Sequence, residues 1–171
     1  VMLIRESMSN GNCGLAYTPG YGGTPLPADF ADFAVGVTVR DCVLGDYPFQ
    51  HEFGHILGGN HNIESNLNNT RLQAWALAHW ANPPASPKGG HRTLLSYKFD
   101  AVPPNPECDG ECPQILHYAN AEVTYYDPVD KTFFQTGVAN SKENARTIAL
   151  VAPIAWTWSD SLDRIFADGF E

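Results

Sequence analysis

The sequence from residue 51 to residue 61 reads His-Glu-Phe-Gly-His-Ile-Leu-Gly-Gly-Asn-His and fits H-E-x-x-H-x-x-G-x-x-H at every fixed position. On a helix, residues four apart share a face, so His51 and His55 can present two imidazole nitrogens to one metal ion. Gly58 can adopt a backbone conformation that ends the helix and turns the chain, which brings His61 back as a third ligand. Three protein ligands with one open position are typical of catalytic zinc, whereas structural zinc has four protein ligands.

The carboxylate within this motif has a different role from the histidines. Glu52 follows the first ligand directly and is therefore rotated by about 100° around the helix. At that angle it can reach a metal-bound water rather than the metal. The motif therefore predicts a zinc hydrolase site with Zn²⁺ as the cofactor. A fortuitous cluster of histidines without a metal is the competing interpretation, and five fixed residues in one pattern argue against it.

Length and composition limit the kind of protein that carries this motif. The chain has 171 residues, which suits one domain with a substantial core. Its formal net charge of −9 argues against nucleic acid or an anionic membrane as a partner. No apolar run approaches the roughly 20 residues of a membrane span. We expect a monomer, and the strand-like start at Val1 leads us to expect a chain that was processed or cut from a longer one.

The four cysteines favour disulfide bonds. They stand at positions 13, 42, 108 and 112 and allow three pairings, of which 13–42 with 108–112 is the simplest. A cysteine zinc site is the competing interpretation, but the C-x-x-C pairs of zinc ribbons are missing. Two disulfides predict a secreted or periplasmic protein.

Local patterns predict the secondary structure around the motif. Strands are expected at 1–5, where the strand should be buried, at 15–17 as an edge strand, at 34–40, and at 122–126 before a turn at Asp127 and Pro128. Helices are expected from Pro48 to about Leu57, at 70–80, and at 144–158. Ser141 can cap the last helix, and Pro153 should kink or break it. Its apolar face should comprise Ile148, Val151, Ala152 and Ala155. Loops are expected at 82–90 and 108–113.

A second group of residues lies downstream of the histidines. Residues 94–97 are an apolar pair, Leu94 and Leu95, followed by a small residue and Tyr97. Together with the elongated zinc motif, this segment resembles the metzincin clan of metallopeptidases, in which a tight turn with a methionine lies beneath the zinc. Leu95 occupies the methionine position and is close to methionine in volume and polarity. The resemblance implies that Tyr97 lies near the metal, where it binds zinc or donates a hydrogen bond to the tetrahedral intermediate.

The resemblance extends to other parts of the chain. Residues 13–17, the strand after them and the Asp41-Cys42 pair resemble the approach to the zinc helix in bacterial reprolysin-like peptidases. Residues 117–123 and 144–148 resemble the C-terminal half of such enzymes, including the peptidyl-Asp type.

The resemblance also implies a fold. The expected class is α+β, with a twisted mixed sheet and a zinc-binding helix over an irregular C-terminal subdomain that ends in a helix. A single catalytic domain would then span 1–160, with an upper part at 1–61, a lower part at 62–160 and a tail at 161–171. Family members carry more chain before the zinc helix, so we expect the N-terminal part to be truncated.

The function that follows is a secreted zinc endopeptidase acting on proteins or peptides. Glu52 would take a proton from the zinc-bound water as it attacks the peptide carbonyl and pass that proton to the leaving amine. An extended substrate would pair with an edge strand, and residues 15–24 are the candidate upper rim. A preference for acidic substrate residues would require a basic partner, for which Arg92, Lys98 and Arg146 are the candidates.

One further expectation and one alternative function accompany this hypothesis. The remaining histidines, His79, His91 and His117, are expected to have core or surface roles rather than metal-binding ones. The whole chain could also be a catalytically silent, zinc-stabilised binding or structural domain on the same scaffold. Leu95 and the short N-terminal half favour that alternative, whereas Glu52 argues against it.

Overall fold

The structure is a computed structural model that describes residues 1–9, 11–42, 47–63, 70–81, 89–97 and 112–158. These residues divide into two units. The first comprises the described residues of 1–58 and 70–72 together with those from 147 onward, and the second comprises those of 59–69 and 73–146. The secondary structure is α+β, as predicted, with small sheets and, among these residues, two α-helices.

The first unit contains a three-stranded sheet with the order β1-β3-β2. The central strand β3 (Gly36–Val39) pairs in parallel with β1 (Met2–Arg5) and antiparallel with β2 (Gly14–Ala16). The sheet is therefore mixed, and all three predicted strands are confirmed with shorter or shifted bounds. The β-branched residues of β3 suit its central position.

The prediction that the first strand is buried is wrong. Leu3 is 48% exposed and Ile4 is 65% exposed, and of the four residues in β1 only Met2 packs against the core cluster of the first unit. Among the described strands, β1 lies at an edge of the sheet, next to β3 alone. A short apolar run does not distinguish a fully covered strand from an edge strand.

Helix α1 (Pro48–Ile56) packs against one face of this sheet and confirms the predicted helix. A Cβ atom at Gly36 of β3 would lie 3.2 Å from Cδ1 of Ile56, so the missing side chain allows the helix to approach closely. The core next to this contact contains six buried residues, namely Phe30, Ala34, Ile56, Leu57, Val151 and Trp158. The indole nitrogen of Trp158 donates a hydrogen bond to the Pro27 carbonyl at 2.9 Å, which satisfies the polar atom of this buried ring.

Helix α2 (Asn144–Ala155) confirms the last predicted helix, and a 3-10 turn (Trp156–Trp158) follows it. Pro153 does not break α2, which continues to Ala155. The carbonyl that Pro153 leaves without an intrahelical partner belongs to Ala149, which is exposed, so water can hydrogen-bond it. The first three residues of α2 belong to the second unit and the others to the first.

Two details of the α2 prediction are wrong. Ser141 does not cap the helix, because it lies three residues before the first helical residue, in a turn where its N–H donates to the Val138 carbonyl. Ala152 is exposed, although Ile148, Val151 and Ala155 pack into the core as predicted. The buried stripe continues instead through Thr147, which is one helical turn before Val151.

The second unit contains two small antiparallel sheets. Strands β4 (Trp80–Ala81) and β5 (His91–Arg92) form one, and strands β6 (Thr124–Asp127) and β7 (Thr132–Gln135) form a hairpin. Strand β6 confirms the strand predicted at 122–126, whereas β7 was not predicted. The turn of the hairpin is held by Asp127, whose carboxylate accepts hydrogen bonds from the N–H groups of Val129 and Gly90. Burial acts to raise the pKa of Asp127, but these hydrogen bonds hold it below its usual value.

The helix predicted at 70–80 is wrong. Residues 76–78 are extended, with the Asn60 N–H donating to the Ala76 carbonyl at 2.9 Å and the Ala78 N–H donating to the Asn60 carbonyl at 3.1 Å. Ala76, Leu77 and Ala78 are all buried, so this stretch has no exposed face of the kind that an amphipathic surface helix presents. The pairing with Asn60 outweighs the helical propensity of alanine and leucine, which is a weak preference.

Some predictions fall on residues that the structure does not describe. These are most of the loops at 82–90 and 108–113, Lys98, Cys108 and the tail at 161–171. Within the described residues, no helix has both the length and the apolar composition needed to cross a membrane.

A disulfide joins Cys13, next to β2, with Cys42, which precedes α1. This bond confirms the first predicted pairing. Cys112 is also disulfide-bonded, while Cys108, its predicted partner, lies outside the described residues. Because disulfides persist in oxidising compartments, this bond suggests an extracellular or periplasmic environment.

Replacing both Cys13 and Cys42 with alanine should lower the free energy of unfolding by about 3–4 kcal/mol, because the bond closes a loop between residues 29 apart. Urea denaturation of the oxidised parent and the double variant measures this difference. A loss below about 1 kcal/mol would show that the bond adds little to the stability of the first unit.

Candidate metal centre

The turn at Gly58 ends α1 and directs the chain toward the last histidine of the motif. Gly58 has φ +87°, the left-handed conformation predicted for it, and its N–H donates to the His55 carbonyl at 2.8 Å. A Cβ atom at this position would lie 3.0 Å from Leu72 and 3.2 Å from Thr147. The left-handed backbone conformation therefore favours glycine here, and a side chain would also force Leu72 and Thr147 to shift.

His51 and His55 lie one turn apart on α1, and their Nε2 atoms are 3.2 Å apart. Two nitrogens that each lie about 2.0–2.1 Å from one tetrahedral zinc ion would be separated by about 3.3 Å. The spacing on the helix therefore fits two ligands of one metal ion. His55 is buried and His51 is half-buried, so one side of this pair stays accessible.

His61 supplies the third imidazole. One ring nitrogen from each of His51, His55 and His61 lies within 4.8 Å of the other two. Within the part of the chain that the structure describes, no other set of three histidine, cysteine, aspartate or glutamate residues could hold a metal ion. The donor set consists of imidazoles alone, which suits zinc and several other transition metals.

The other three histidines do not join this group. His91 is fully buried beside the rings of Tyr125 and Phe134, His79 is half-buried and His117 is exposed. Burial lowers the pKa of His79 to about 3 and that of His91 to about 4, so both are neutral near pH 7. These positions agree with the core or surface roles predicted for them.

The side chain of Glu52 extends from α1 to strand β2 of the sheet. It is only 6% exposed, and a Cβ atom at Gly14 of β2 would lie 2.6 Å from its Cγ, so only glycine leaves room for this side chain. Burial raises the pKa of Glu52 to about 7, where a carboxyl group can exchange protons near neutral pH. A bound cation would favour its ionised form. No local sequence pattern connects Gly14 with Glu52, so the sequence alone does not mark this glycine as part of the site.

The segment that resembles a methionine turn is a turn in the structure. The Ser96 N–H donates to the Thr93 carbonyl at 2.9 Å, and Leu95 in the methionine position is 0% exposed. Tyr97 follows and lies over His61, with 4.1 Å between the ring centroids. The Tyr97 side chain is 45% exposed, so its hydroxyl-bearing ring is accessible to a ligand. The catalytic roles of Glu52 and Tyr97 stay predictions.

Two of the three basic residues predicted for substrate recognition, Arg146 and Arg92, have internal partners. The guanidinium of Arg146 lies 4.1 Å from the Trp75 ring and contacts Asn140 and Glu143. Arg92 is buried and donates to the Ser96 carbonyl at 3.0 Å. Lys98 lies outside the described residues.

Arg71 was missed by the sequence analysis. Its Nη1 atom is buried and has no hydrogen-bond partner within the described part of the chain. The next residue, Leu72, lies over the backbone of both Gly20 and Gly58. Arg71 is therefore the sequence neighbour of a residue, Leu72, that contacts both the predicted upper rim at Gly20 and the turn at Gly58. No sequence pattern distinguishes it from the other arginines.

Two curated relatives are similar to this chain. A peptidyl-Asp metalloendopeptidase of Stenotrophomonas maltophilia strain R551-3 is 26% identical over 148 residues, which are 86% of this chain and 28% of the relative. A protein of the same name from strain K279a is 28% identical over 125 residues, which are 73% of this chain and 24% of the relative. The chain thus spans about a quarter of the length of these relatives. No family model and no solved structure matches it.

The relatives and the histidine group point in the same direction. The names of the relatives support a metallopeptidase family for this chain. The group of His51, His55 and His61 is the part of the described chain that could hold the metal such a family requires. Together they imply a metal cofactor.

Replacing Gly58 with alanine should lower the free energy of unfolding by about 2–4 kcal/mol, because left-handed strain is added to a close contact with Leu72. Gly22 is a matched control, with φ +60° and no heavy atom within 4 Å of an added Cβ. Gly22→Ala should therefore cost only the backbone term of about 1 kcal/mol. Equal losses in the two variants, measured by denaturant titration of the metal-free protein, would contradict the steric part of this argument.

Proposed function

We propose that this chain is the catalytic domain of a secreted, metzincin-like zinc endopeptidase. The observation that carries the proposal is the arrangement on α1, where two histidine nitrogens lie 3.2 Å apart on the same helix that carries the buried carboxyl group of Glu52. A purely structural metal site needs no such carboxyl group. The similarity to proteins named metalloendopeptidases and the disulfide support the same proposal.

Zinc would be held by His51, His55 and His61, leaving one position open for water or substrate. A zinc ion bound there would supply a Lewis acid and would acidify the attacking water. The chain itself supplies the proton transfers. Glu52 would accept the proton of the attacking water and deliver it to the leaving amine nitrogen, a task that suits a carboxyl group with a pKa of about 7.

Tyr97 would stabilise the oxygen that becomes negative when the peptide carbonyl is attacked. Its ring lies against His61 and is accessible, so its hydroxyl group can donate a hydrogen bond to that oxygen without displacing a histidine. Leu95 would keep the floor of the site apolar, as methionine does in the metzincins that the sequence resembles.

The substrate would bind as an extended strand along β2. Among the described strands, β2 is an edge, since its only strand partner is β3. A peptide that added to its free edge would pass next to Gly14, directly above the Glu52 side chain. The backbone of β2 would then provide affinity that is independent of substrate sequence.

We further propose a preference for acidic residues near the cleavage site, with Arg71 as the partner of the acidic side chain. The relatives are named for peptidyl-Asp cleavage, and the other candidate arginines of the described chain have internal partners. The Nη1 atom of Arg71 is buried without a partner among the described residues, so on substrate binding it would have to become accessible, and it would then donate a charge-assisted hydrogen bond to the substrate carboxylate.

A catalytically silent domain that keeps the metal is the second candidate function. Leu95 in place of methionine favours it. Full metal occupancy without any cleavage of peptides would identify this alternative.

Replacing Glu52 with glutamine should lower kcat at least a hundredfold while metal stoichiometry stays at that of the parent, because the proton acceptor is lost but no ligand is. Cleavage of a proteome-derived peptide library and metal analysis of the purified proteins measure the two quantities. Glu122→Gln removes an exposed carboxylate far along the chain and should leave both unchanged. A fully metallated parent that is as inactive as Glu52→Gln would refute the peptidase proposal for this chain.

Replacing Arg71 with glutamine should remove the preference for acidic substrates. We expect the ratio of kcat/KM between an aspartate peptide and its asparagine counterpart to fall about 10- to 100-fold. Arg146→Gln is the matched control and should retain the parent ratio, because Arg146 already contacts Trp75 and Glu143. If Arg71→Gln keeps the parent ratio, Arg71 does not recognise the acidic side chain.

A further inference from the structure

The side-chain amide of Asn144 holds the backbone of Asn60, the residue immediately before His61. Its Oδ1 atom accepts a hydrogen bond from the Asn60 N–H at 3.3 Å, and its Nδ2 atom donates to the Asn60 carbonyl at 3.0 Å. The two asparagines are 84 residues apart in sequence. Asn144 is 0% exposed and Asn60 is 3% exposed. Water therefore cannot easily replace these hydrogen bonds.

Asn144 does not use this amide to cap its own helix. An asparagine at the start of a helix commonly accepts a hydrogen bond from an N–H group two or three residues later. The N-terminus of α2 is held differently, because the Ala145 N–H donates to the Ala119 carbonyl at 3.0 Å and the Arg146 N–H donates to the Glu143 carbonyl at 3.1 Å. Both ends of the Asn144 amide are thus available to Asn60.

The two residues before Asn60 are glycines, which by themselves restrict the path of the following backbone less than other residues would. Gly58 and Gly59 follow the end of α1 directly, and glycine has the widest choice of backbone conformations. The position of the third imidazole therefore depends on contacts made at Asn60 and beyond.

Residues 76–78 provide one set of these contacts. The Asn60 N–H donates to the Ala76 carbonyl, and the Ala78 N–H donates to the carbonyls of Asn60 and His61. This extended pairing holds the backbone of residues 60 and 61 on the side that faces residues 76–78. The Asn144 amide adds a second hold on the same two backbone groups of Asn60.

We propose that Asn144 is a positioning residue for the metal centre, fixing the backbone at Asn60 so that His61 is presented as the third ligand. This inference rests on the proposed metal site. Because zinc–nitrogen distances are confined to about 2.0–2.1 Å, a loosened backbone beside one ligand weakens metal binding in addition to any effect on the fold. Loss of residues that orient a metal ligand typically weakens metal affinity about 10- to 100-fold.

The test compares Asn144→Asp with Thr136→Val. The aspartate has the shape of asparagine but places a carboxylate against the Asn60 carbonyl. Thr136 is fully buried in the same unit, and valine removes its 2.9 Å hydrogen bond to the Asn120 carbonyl, a bond that does not involve residues 60–62. Zn²⁺ affinity is measured by competition with a chelator, and stability is measured by denaturation in EDTA. We expect Asn144→Asp to lose affinity about 10- to 100-fold and Thr136→Val to retain the parent affinity.

A second comparison in the His61→Ala background separates positioning from general structural damage. Without the third imidazole, Asn144→Asp should cause no further loss of Zn²⁺ affinity, because its effect passes through His61. Asn144→Ala, which buries no charge, serves in the same cycle if the aspartate variant does not fold.

Three outcomes would overturn the inference. These are an unchanged affinity in the Asn144 variants, an equal loss with and without His61, and a His61→Ala protein that binds Zn²⁺ as tightly as the parent. A parent that binds Zn²⁺ through His61 but cleaves no peptide would refute the proposed peptidase activity and leave the role of Asn144 intact.

Discussion

The left-handed turn at Gly58 is the constraint on which the candidate site depends. A helix can place two histidines on one face, but a third residue on the same helix would lie too far along the axis to reach the same ion. The chain must therefore stop and turn within a few residues of His55. Gly58 allows this turn at φ +87°, and a Cβ atom there would press on the side chains of Leu72 and Thr147. The geometry of the motif is thus inseparable from the packing around one glycine.

The backbone flexibility of the two glycines, which makes the turn possible, must be restricted in the residues that follow. Two consecutive glycines allow many paths for the chain that leaves α1, and only some of them bring His61 close to His51 and His55. The structure restricts the chain immediately afterwards, with Asn60 held by residues 76–78 and by Asn144. Asn62, which is fully buried, accepts a hydrogen bond from the Tyr97 N–H at 3.1 Å. The residues on both sides of His61 are therefore anchored to other parts of the second unit.

The sequence predicts features that are determined by neighbouring residues. It does not predict features that are determined by contacts between residues far apart in the chain. The strand at β3 and the start of α1 at Pro48 follow from local patterns, and these predictions hold. The motif also follows from a local pattern, and its three histidines lie together in the structure. The helix expected at 70–80 failed because pairing with Asn60 decides the conformation of residues 76–78. Likewise, Arg146 and Arg71 look alike as isolated charges. Only the folded chain shows that the first contacts Trp75 and Glu143 while the second keeps a buried nitrogen without a partner.

The same reasoning explains why Leu95 need not disable the site. Sulfur chemistry is not required of a residue that does not bind the metal; what the position demands is an apolar side chain of suitable volume. Leu95 meets this demand, since it is completely buried, and the hydrogen bond from Ser96 to Thr93 closes its turn without any contribution from the side chain. The placement of Tyr97 is likewise determined by its backbone bond to Asn62 and by the contact of its ring with His61. The departure from the metzincin pattern therefore falls on a position whose role is packing, while the residues that would carry the chemistry are those that match the pattern.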